Sequence, residues 1–447
     1  MTRLRGPLIF IAAFAVLAVL AGPGLLRPAR NNHFVHMARG WLAGRLALAG
    51  SPPGYPRAHD DWGRVWTIGL RDGTTLRGDP CRTAPCDQLR RTGIETWRPT
   101  VGAPIEIPRS DIVTRASTWY VTFPPGPALL MLPGVALWGF GFLDVLFTVL
   151  AGALIPVALV RLLERVRGPG HLREHLWAAA AWTVASPACF VAAHGSVWFT
   201  AQVLGSLTLC LYIDAAWDMR RPASAALWLG LAVACRVSIA FAVIFAALEW
   251  SRDRRLATLL RFIVPLMVIG GVMAWFNWVR FDDPLEFGHR YLDIRWQTRI
   301  QTFGMFSPHY LARNLECLLW LAPQISPQLR WSVHGMGLLL ASPWLVLLAR
   351  ARAHFAQRTG LALAALAVAV PALLYQNSGQ VQFSYRFALD FLPLLLVLLV
   401  VGGGARTRWF PALVVLAAVV QVYGAWMYGR APGQLFVQDP WWPFAPE

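Results

Sequence analysis

The stretch Pro7–Leu26, PLIFIAAFAVLAVLAGPGLL, decides the class of this protein, because it carries no charged residue over the length of a membrane-crossing helix. An α-helix needs about 20 apolar residues to cross the hydrocarbon of a bilayer. The basic start Met1–Arg5 precedes this stretch, no small-x-small cleavage site follows it, and similar apolar runs recur along the chain. The sequence therefore predicts an uncleaved first transmembrane helix with its N-terminus in the cytoplasm.

The composition agrees with repeated membrane crossings. Only 14% of the 447 residues are charged, against roughly 25% in soluble proteins, and the mean hydropathy is +0.48. The net charge of +17 is spread over many short loops rather than along one stripe, which excludes a nucleic-acid-binding surface. All 40 basic residues are arginine, which favours a GC-rich bacterial source and hence the bacterial inner membrane as the location.

The arginines also orient the predicted helices, since cytoplasmic loops of membrane proteins carry an excess of basic residues. The sequence predicts an all-α polytopic membrane protein with about eleven transmembrane helices, in a range of nine to thirteen. Five arginine-rich connections are placed inside: 161–173, 220–221, 252–255, 349–358 and 406–408. The tips placed outside lie near 194–196, 235–237, 279–330 and 376–386.

The long polar loop after the first helix is expected to lie outside and to carry a small β-containing insertion. Two β-type runs flank Asp72-Gly73, a tight-hairpin signal, and predict this insertion from about 62 to 112. Cys81 and Cys86 are expected to form a disulfide if the loop is outside the cytoplasm. The predicted division is a first transmembrane helix at 1–26, an outer loop at 27–126 with an interfacial helix, transmembrane helices at 127–278, a second outer loop at 279–330, C-terminal transmembrane helices at 331–428 and an outer tail at 429–447.

Two arginines on the side placed outside adjoin long apolar runs. Arg236 lies in Ala-Cys-Arg-Val-Ser-Ile, and Arg386 lies in Phe-Ser-Tyr-Arg-Phe-Ala-Leu-Asp. A cation at such a position is costly unless it finds a partner or a water-filled cavity. Each side chain is therefore either a ligand for an anion, or one half of an ion pair or a snorkelling head group, and the sequence leaves these alternatives open.

Three strings then carry a resemblance to a known superfamily. They are YVTFPPGPALL at 120–130, NWVRFDDPLEFG at 277–288 and QFSYRFALDFLP at 382–393. In this order, behind a long first outer loop, they resemble the GT-C superfamily of membrane glycosyltransferases, which includes protein O-mannosyltransferases and the lipid A aminoarabinose transferase. The architecture of the resemblance covers nearly the whole chain, whereas the matching strings are short.

The resemblance implies an inverting transferase that moves a sugar from a polyprenyl-phosphate carrier to an envelope acceptor on the outer face. Arginines would hold the lipid phosphate, whose oxygens a guanidinium can match with two parallel donors. A carboxylate of the first loop would act as base, which a hydroxyl nucleophile needs within hydrogen-bond reach, or would hold an assisting divalent cation. Where the superfamily has its carboxylate just past the first helix, this sequence has Asn31-Asn32, and an amide cannot take the proton.

The nearest acids, Asp60 and Asp61, are the predicted catalytic residues, with a capping or solvated loop pair as the alternative. No metal site is predicted, because Asp282-Asp283 before Pro284 is more typical of a turn, although a divalent cation is left open as a cofactor. Membrane lipid and a polyprenyl-phosphate sugar are the expected partners, and the oligomeric state is not predicted. The predicted substrate ligands are His33, His59, Arg236, His289, Arg290, Tyr385 and Arg386.

Two other functions remain open on the sequence. A transporter or flippase for lipid-linked glycans would share the cationic cavity and need no base, as Asn31-Asn32 suggests. Such a protein is expected to show discontinuous helices paired across two halves, and the sequence shows no internal repeat. A non-catalytic GT-C-like protein would bind a lipid or a partner. Replacement of Asp60 and Asp61 separates these alternatives from a transferase.

Overall fold

The computed structural model describes residues 2–55, 61–294, 296–325, 328–353 and 355–437, which form a mostly helical protein with one small antiparallel sheet. The helices are α1 (Thr2–Ala21), α2 (His33–Leu42), α3 (Ala84–Arg91), α4 (Gly126–Trp138), α5 (Asp144–Arg167), α6 (Leu172–Thr183), α7 (Ala188–His194), α8 (Val197–Ala216), α9 (Pro222–Cys235), α10 (Val243–Asp253), α11 (Leu256–Phe281), α12 (Gln297–Phe303), α13 (Leu311–Leu319), α14 (Leu338–Ala341), α15 (Arg358–Leu374), α16 (Leu392–Val401), α17 (Trp409–Arg430) and α18 (Pro432–Leu435). The strands are β1 (Trp62–Leu70), β2 (Thr75–Pro80), β3 (Ile94–Pro99), β4 (Ile105–Pro108), β5 (Ile112–Val121), β6 (Trp331–Ser332) and β7 (Phe436–Val437).

Several helices have the length and composition of membrane spans. Within the described ranges, five qualify: Leu4–Leu26, Asp144–Arg167, Val197–Met219, Leu256–Phe281 and Trp409–Arg430. A sixth span results if the pair that contains α6 and α7, bent by 58°, is taken as one. Helices α9, α15 and α16 are apolar but shorter. The membrane class predicted from the sequence is therefore supported, whereas the count of about eleven transmembrane helices is not confirmed.

The chain divides into two compact units. The first, here called the helical unit, contains Met1–Arg30, Leu143–Met267 and Tyr310–Glu447. The second, here called the sheet unit, contains Asn31–Phe142 and Val268–His309. Each unit has its own buried apolar cluster, and each is described by itself below.

Polar contacts fix the direction of α1 against α5 in the helical unit. At one end Nη1 of Arg5 lies 3.2 Å from Oε1 of Glu164, near the C-terminus of α5. Near the other end the backbone N–H of Ala29 donates to Oδ1 of Asp144, the first residue of α5, over 2.7 Å. The two helices therefore run antiparallel.

Helix α8 runs parallel to α5. The hydroxyl groups of Thr148, the fifth residue of α5, and Thr200, the fourth residue of α8, lie 2.7 Å apart. At the far ends of the same two helices Arg165 forms an ion pair with Asp214. The C-terminal ends of α5 and α8 and the N-terminus of α1 thus share one end of the helical unit.

That end gathers the predicted inside connections, and we call it the arginine-rich end. The backbone N–H of Asp218 donates to Glu249 over 2.6 Å, and Gln357 donates to Asp218 over 2.6 Å. Nη1 of Arg167 donates to the carbonyl of Val400, also over 2.6 Å. The grouping is the one that the positive-inside rule requires of loops on one side of a membrane. The cytoplasmic identity of this side stays a prediction.

The sheet unit contains the predicted β insertion. Its strand order is β4-β3-β2-β1-β5, with antiparallel neighbours. Strands β1 and β2 form the predicted hairpin at Asp72-Gly73, where Gly73 has φ +87°, a conformation that glycine adopts without strain. The sheet does not end near 112 as predicted, because β5 pairs with β1 as far as Val121. The apolar end of β5, which includes Trp119, Tyr120 and Val121, is buried.

Residues beyond α11 pack on the sheet. Phe281 and Tyr291 form a buried cluster with Val65 and Tyr120 of the strands. The first long loop and the start of the second, both predicted to be outside, therefore belong to one compact body. Loops that fold together in this way must lie on the same side of any membrane that the helices cross.

The predicted disulfide is present between Cys81 and Cys86, with a Cα–Cα distance of 5.9 Å. The loop that it closes is fastened to α12. The backbone N–H of Arg82 donates to Gln301 over 2.6 Å, and the Arg82 guanidinium lies 3.4 Å from Asp293. The disulfide therefore braces a contact between the insertion and the segment after α11.

Gly424 of α17 provides a test of the packing in the helical unit. A Cβ atom at this position would overlap the ring of Phe383, which is fully buried. We expect Gly424→Ala to lower the free energy of unfolding by about 1–3 kcal/mol, since an overpacked core has to shift. Thermal unfolding of the purified protein in detergent measures this. Gly271→Ala in α11, where the new methyl meets no atom within 4 Å, is the matched control and is expected to leave the melting temperature unchanged or slightly raised. Equal melting temperatures for the two variants would contradict the packing.

Candidate functional site

The predicted site residues are distributed over both units. Asp60 and His59 lie outside the described residues. The helical unit contains Arg236, Tyr385 and Arg386, and the sheet unit contains His33, Asp61, His289 and Arg290.

Arg236 forms a two-point ion pair with a carboxylate that is distant in sequence. The residue lies where α9 ends at Cys235 and the backbone becomes extended. Its Nε donates to Oδ1 of Asp390 over 3.0 Å, and its Nη2 donates to Oδ2 over 2.7 Å. The hydroxyl of Ser238 donates to the same Oδ2 over 2.7 Å. Asp390 thus fixes the orientation of the guanidinium and leaves Nη1 outside the pair.

Arg386 donates hydrogen bonds to a backbone carbonyl and to an amide side chain. The side chain is buried, with 4% of its surface exposed. Its Nε donates to the carbonyl of Gly379 over 3.0 Å, and its Nη1 donates to Oε1 of Gln202 over 3.2 Å. The side chain of Gln202 returns a hydrogen bond to the carbonyl of Arg386 over 2.9 Å. One glutamine of α8 therefore positions both the backbone and the guanidinium of Arg386.

The ring of Phe387 lies against both arginines. The guanidinium carbon of Arg236 is 5.4 Å from the ring centroid, and that of Arg386 is 4.9 Å from it. The ring of Tyr385 meets Phe387 edge-on, with centroids 5.9 Å apart. A cation beside an aromatic ring gains about 0.5–2 kcal/mol, depending on its desolvation. The structure therefore brings together the three predicted residues of the helical unit, and we call Arg236, Tyr385, Arg386 and Phe387 the arginine site.

The hydroxyl of Tyr385 has an unusual environment within this site. Tyr385 is fully buried, and its hydroxyl has no hydrogen-bond partner among the residues that the structure describes. Burial raises the pKa of Tyr385, so the hydroxyl stays protonated and is a donor at neutral pH. A buried polar group without a partner costs about 1–3 kcal/mol. The arginine site thus holds a preformed donor that an anion could satisfy.

Two predicted ligands in the sheet unit share one aromatic cluster. The ring of His33 stacks on Trp62, with centroids 3.7 Å apart. Phe123 lies edge-on to both histidines, 5.7 Å from His33 and 6.1 Å from His289. Asp61 directly precedes Trp62 and has φ +60°, a left-handed conformation that aspartate adopts more readily than most residues. His33, Asp61 and His289 are therefore neighbours of the same cluster.

Arg290 is occupied by the sheet. Its Nη2 donates to the carbonyl of Pro99 over 2.7 Å, and its guanidinium lies 3.9 Å from both Asp79 and Glu286. Burial raises the pKa of the Asp79 carboxyl, although Arg98 and Arg290 act in the opposite direction. Arg290 therefore fastens the segment after α11 to the sheet, and its predicted role as a phosphate ligand stays a prediction.

The paired acids before Pro284 behave as a turn, which was the favoured interpretation of the sequence. Asp282 forms an ion pair with Arg77 over 2.7 Å. The side chain of Asp283 accepts a hydrogen bond from the backbone N–H of Leu285 over 2.8 Å. Across the described parts of the chain, no group of three or more His, Cys, Asp or Glu residues could hold one metal ion.

Comparison with known proteins adds one likeness. The chain is similar over 97% of its length to the crystal structure of the Archaeoglobus fulgidus oligosaccharyltransferase in the apo form, with 13% sequence identity and a TM-score of 0.41. It spans 56% of the length of that protein. No family model and no curated protein matches the sequence.

Sequence reasoning did not assign roles to the residues that hold the arginine site together. Asp390 and Gln202 contact their arginines across 154 and 184 residues of chain. A local signal existed only for Asp390, as a carboxylate that follows Arg386 by four residues in a largely apolar run. Asp144, which begins α5, was also overlooked because it follows Gly141-Phe-Leu143 at the end of a loop and carries no motif.

Proposed function

We propose that this protein is a GT-C-like membrane glycosyltransferase. It takes a sugar from a polyprenyl-phosphate carrier and transfers it to an envelope acceptor at the outer face of the bacterial inner membrane. The observation that supports this proposal best is the arginine site, in which two guanidinium groups and the ring of Tyr385 adjoin the ring of Phe387, and in which the Tyr385 hydroxyl has no hydrogen-bond partner among the described residues.

The chemistry of a lipid phosphate suits this site. A phosphodiester carries one negative charge, and its leaving phosphate gathers another as the bond to the sugar breaks. Arg386 and Nη1 of Arg236 can donate to the phosphate oxygens, and the Tyr385 hydroxyl can supply a further hydrogen bond. Donors that are already oriented stabilise developing charge more strongly than flexible ones, because no reorganisation is needed.

The remaining predicted residues complete the proposal. Asp60 and Asp61 are the acids that the sequence offers as candidates for the proton acceptor, and His33, His59, His289 and Arg290 are proposed as further contacts with the sugar or the phosphate. The arginine-rich end of the helical unit is proposed to face the cytoplasm.

The test is a donor assay with the purified full chain in lipid nanodiscs. A panel of polyprenyl-phosphate hexoses and pentoses is offered together with envelope glycans, and release of polyprenyl phosphate is measured by chromatography. We expect release that depends on both the acceptor and one particular sugar. Translocation of intact donor across vesicles without release would instead identify a flippase. Neither release nor translocation with any donor of the panel would overturn the transferase proposal.

For the variant Tyr385→Phe we expect different effects on the stability of the free protein and on its binding of polyprenyl phosphate. Removal of a buried hydroxyl that has no partner among the described residues is expected to leave the stability of the free protein unchanged or to raise it by up to about 1 kcal/mol. The same change is expected to weaken binding of polyprenyl phosphate about tenfold, because a hydrogen bond to a charged group is lost. Thermal unfolding and a binding titration measure the two effects. A variant that is less stable and binds normally would show that the hydroxyl serves the fold rather than a ligand.

A further inference from the structure

Asp144 differs from the other buried carboxylates that the structure describes. These are Asp79, Glu95, Asp144, Asp214, Glu249 and Asp390. Every one of them except Asp144 has an arginine nitrogen within 4.0 Å. Asp144 is only 3% exposed and forms no ion pair within the described part of the chain. Burying a carboxylate without a counter-charge costs free energy, and a residue in such a position is a candidate for a function.

The contacts of Asp144 explain how it is held but do not require a carboxylate. Its Oδ1 accepts the hydrogen bond from Ala29, and its position in the first turn of α5 favours a negative charge by the helix dipole. An asparagine could accept the same hydrogen bond through its amide oxygen. What the acid adds over asparagine is a negative charge and the capacity to take up a proton.

Helix α8 shows where Asp144 lies relative to the arginine site. Near the start of α8, an added Cβ on Gly195 would lie 3.3 Å from the carbonyl oxygen of Asp144. Further along, Gln202 binds Arg386, and a Cβ on Gly205 would lie 2.9 Å from Cγ of Arg236. An α-helix rises 1.5 Å per residue. The contact with Arg386 at Gln202 therefore lies roughly 10 Å further along α8 than the contact with Asp144 at Gly195, and the contact with Arg236 at Gly205 lies roughly 5 Å beyond that. All three lie in the half of the helical unit away from the arginine-rich end.

We infer that Asp144, in place of Asp60 or Asp61, is the general base of the transfer reaction, an inference that rests on the proposed glycosyltransferase function. In this step the Asp144 carboxylate takes the proton of the acceptor hydroxyl. The oxygen of that hydroxyl bonds to the anomeric carbon of the sugar at the same time. The bond from that carbon to the phosphate oxygen breaks, and its electron pair leaves with the polyprenyl phosphate at the arginine site. The protonated Asp144 then releases its proton to water, so that atoms and charges balance.

Asp390 cannot take this role, although it is the other buried carboxylate near the arginines. Both of its oxygens already accept hydrogen bonds from Arg236, and Oδ2 also accepts one from Ser238. Protonation of Asp390 would break the ion pair that orients Arg236. Asp144 does not orient an arginine in this way, since the backbone N–H of Ala29 donates only to its Oδ1.

The experiment is the donor assay with Asp144→Asn in the full chain. We expect transfer to fall by about 10²- to 10⁴-fold, which is the usual contribution of a general base. Binding of polyprenyl phosphate and the melting temperature are expected to stay at the wild-type values, because the amide still accepts from Ala29. Glu164→Gln is the matched control, since it makes the same change near the opposite end of α5, where Glu164 pairs with Arg5. This control is expected to retain transfer.

Three outcomes decide between the proposals. If Asp144→Asn folds, binds polyprenyl phosphate and transfers sugar at the wild-type rate, the inference is overturned while the transferase remains. The same holds if Asp60→Asn or Asp61→Asn abolishes transfer in parallel assays and Asp144→Asn does not. If the wild-type protein releases polyprenyl phosphate from no donor of the panel, the proposed function itself fails, and the inference fails with it.

Discussion

Asp390→Ala is expected to lower the free energy of unfolding by about 3–5 kcal/mol, which is the cost of removing one partner of a buried ion pair. Asp390 is 1% exposed and accepts hydrogen bonds from Nε and Nη2 of Arg236 and from the hydroxyl of Ser238. Without the carboxylate, the Arg236 guanidinium keeps its charge in a largely apolar surrounding and has no counter-charge in place. Thermal unfolding of the purified protein in detergent measures the loss as a lower melting temperature.

An exposed ion pair of the same chemistry is the control. Asp253 pairs with Arg255 over 3.4 Å, and the Arg255 side chain is 80% exposed. Asp253→Ala is expected to cost about 0–1 kcal/mol, because water solvates the arginine that remains. The double variant Arg236→Met with Asp390→Leu is expected to regain most of the stability. If Asp390→Ala and Asp253→Ala melt alike, the buried pair does not stabilise the fold.

Arg386→Gln is expected to weaken the binding of polyprenyl phosphate by roughly ten- to a hundredfold. Hydrogen bonds to charged groups contribute about 1.5–3 kcal/mol, and each 1.4 kcal/mol is a factor of ten in affinity. Glutamine is uncharged but can still hydrogen-bond to Gln202, so the fold is expected to survive. A titration of the variant in nanodiscs with polyprenyl phosphate, and with the uncharged polyprenol for comparison, measures the effect.

A control variant has to distinguish the loss of any positive charge from the loss of the Arg386 side chain as a contact for the phosphate. Arg430 also lies in the helical unit, where its guanidinium stacks on Trp426 and donates to the carbonyl groups of Val19 and Leu20. Arg430→Gln removes the same charge and is expected to bind polyprenyl phosphate like the wild type. If both variants lose affinity equally, the attraction is a property of the whole surface, and Arg386 is not a ligand.

Part of the fold followed from local patterns. The apolar run at 7–26, the Asp72-Gly73 hairpin and the Cys81–Cys86 pairing depend on residues close in sequence, so the sequence alone could predict them. The number of spans could not be predicted in the same way. Runs such as 223–250 contain two short pieces, α9 and α10, and a hydropathy pattern does not reveal whether such pieces cross the membrane separately.

The sequence could predict the arginines of the candidate site but not the residues that contact them. Arg236 and Arg386 stand out locally, because an arginine beside an apolar run needs a partner or a cavity. The identity of the partner is not local: Asp390 neutralises Arg236, whereas the carbonyl of Gly379 and the side chain of Gln202 accept hydrogen bonds from Arg386. The two arginines looked alike in the sequence and differ in the structure.

By itself, the sequence determined the membrane class, the small sheet and the cost of two arginines in apolar surroundings, since each depends on composition or on neighbouring residues. Only the tertiary structure decided which carboxylates are neutralised. Asp144 meets Ala29 across 115 residues and has no ion pair in the part of the chain that the structure describes, while Asp390 meets Arg236 across 154 residues. Such contacts arise from the packing of helices, because the same side chain is a partner, a ligand or a base according to what the fold places beside it.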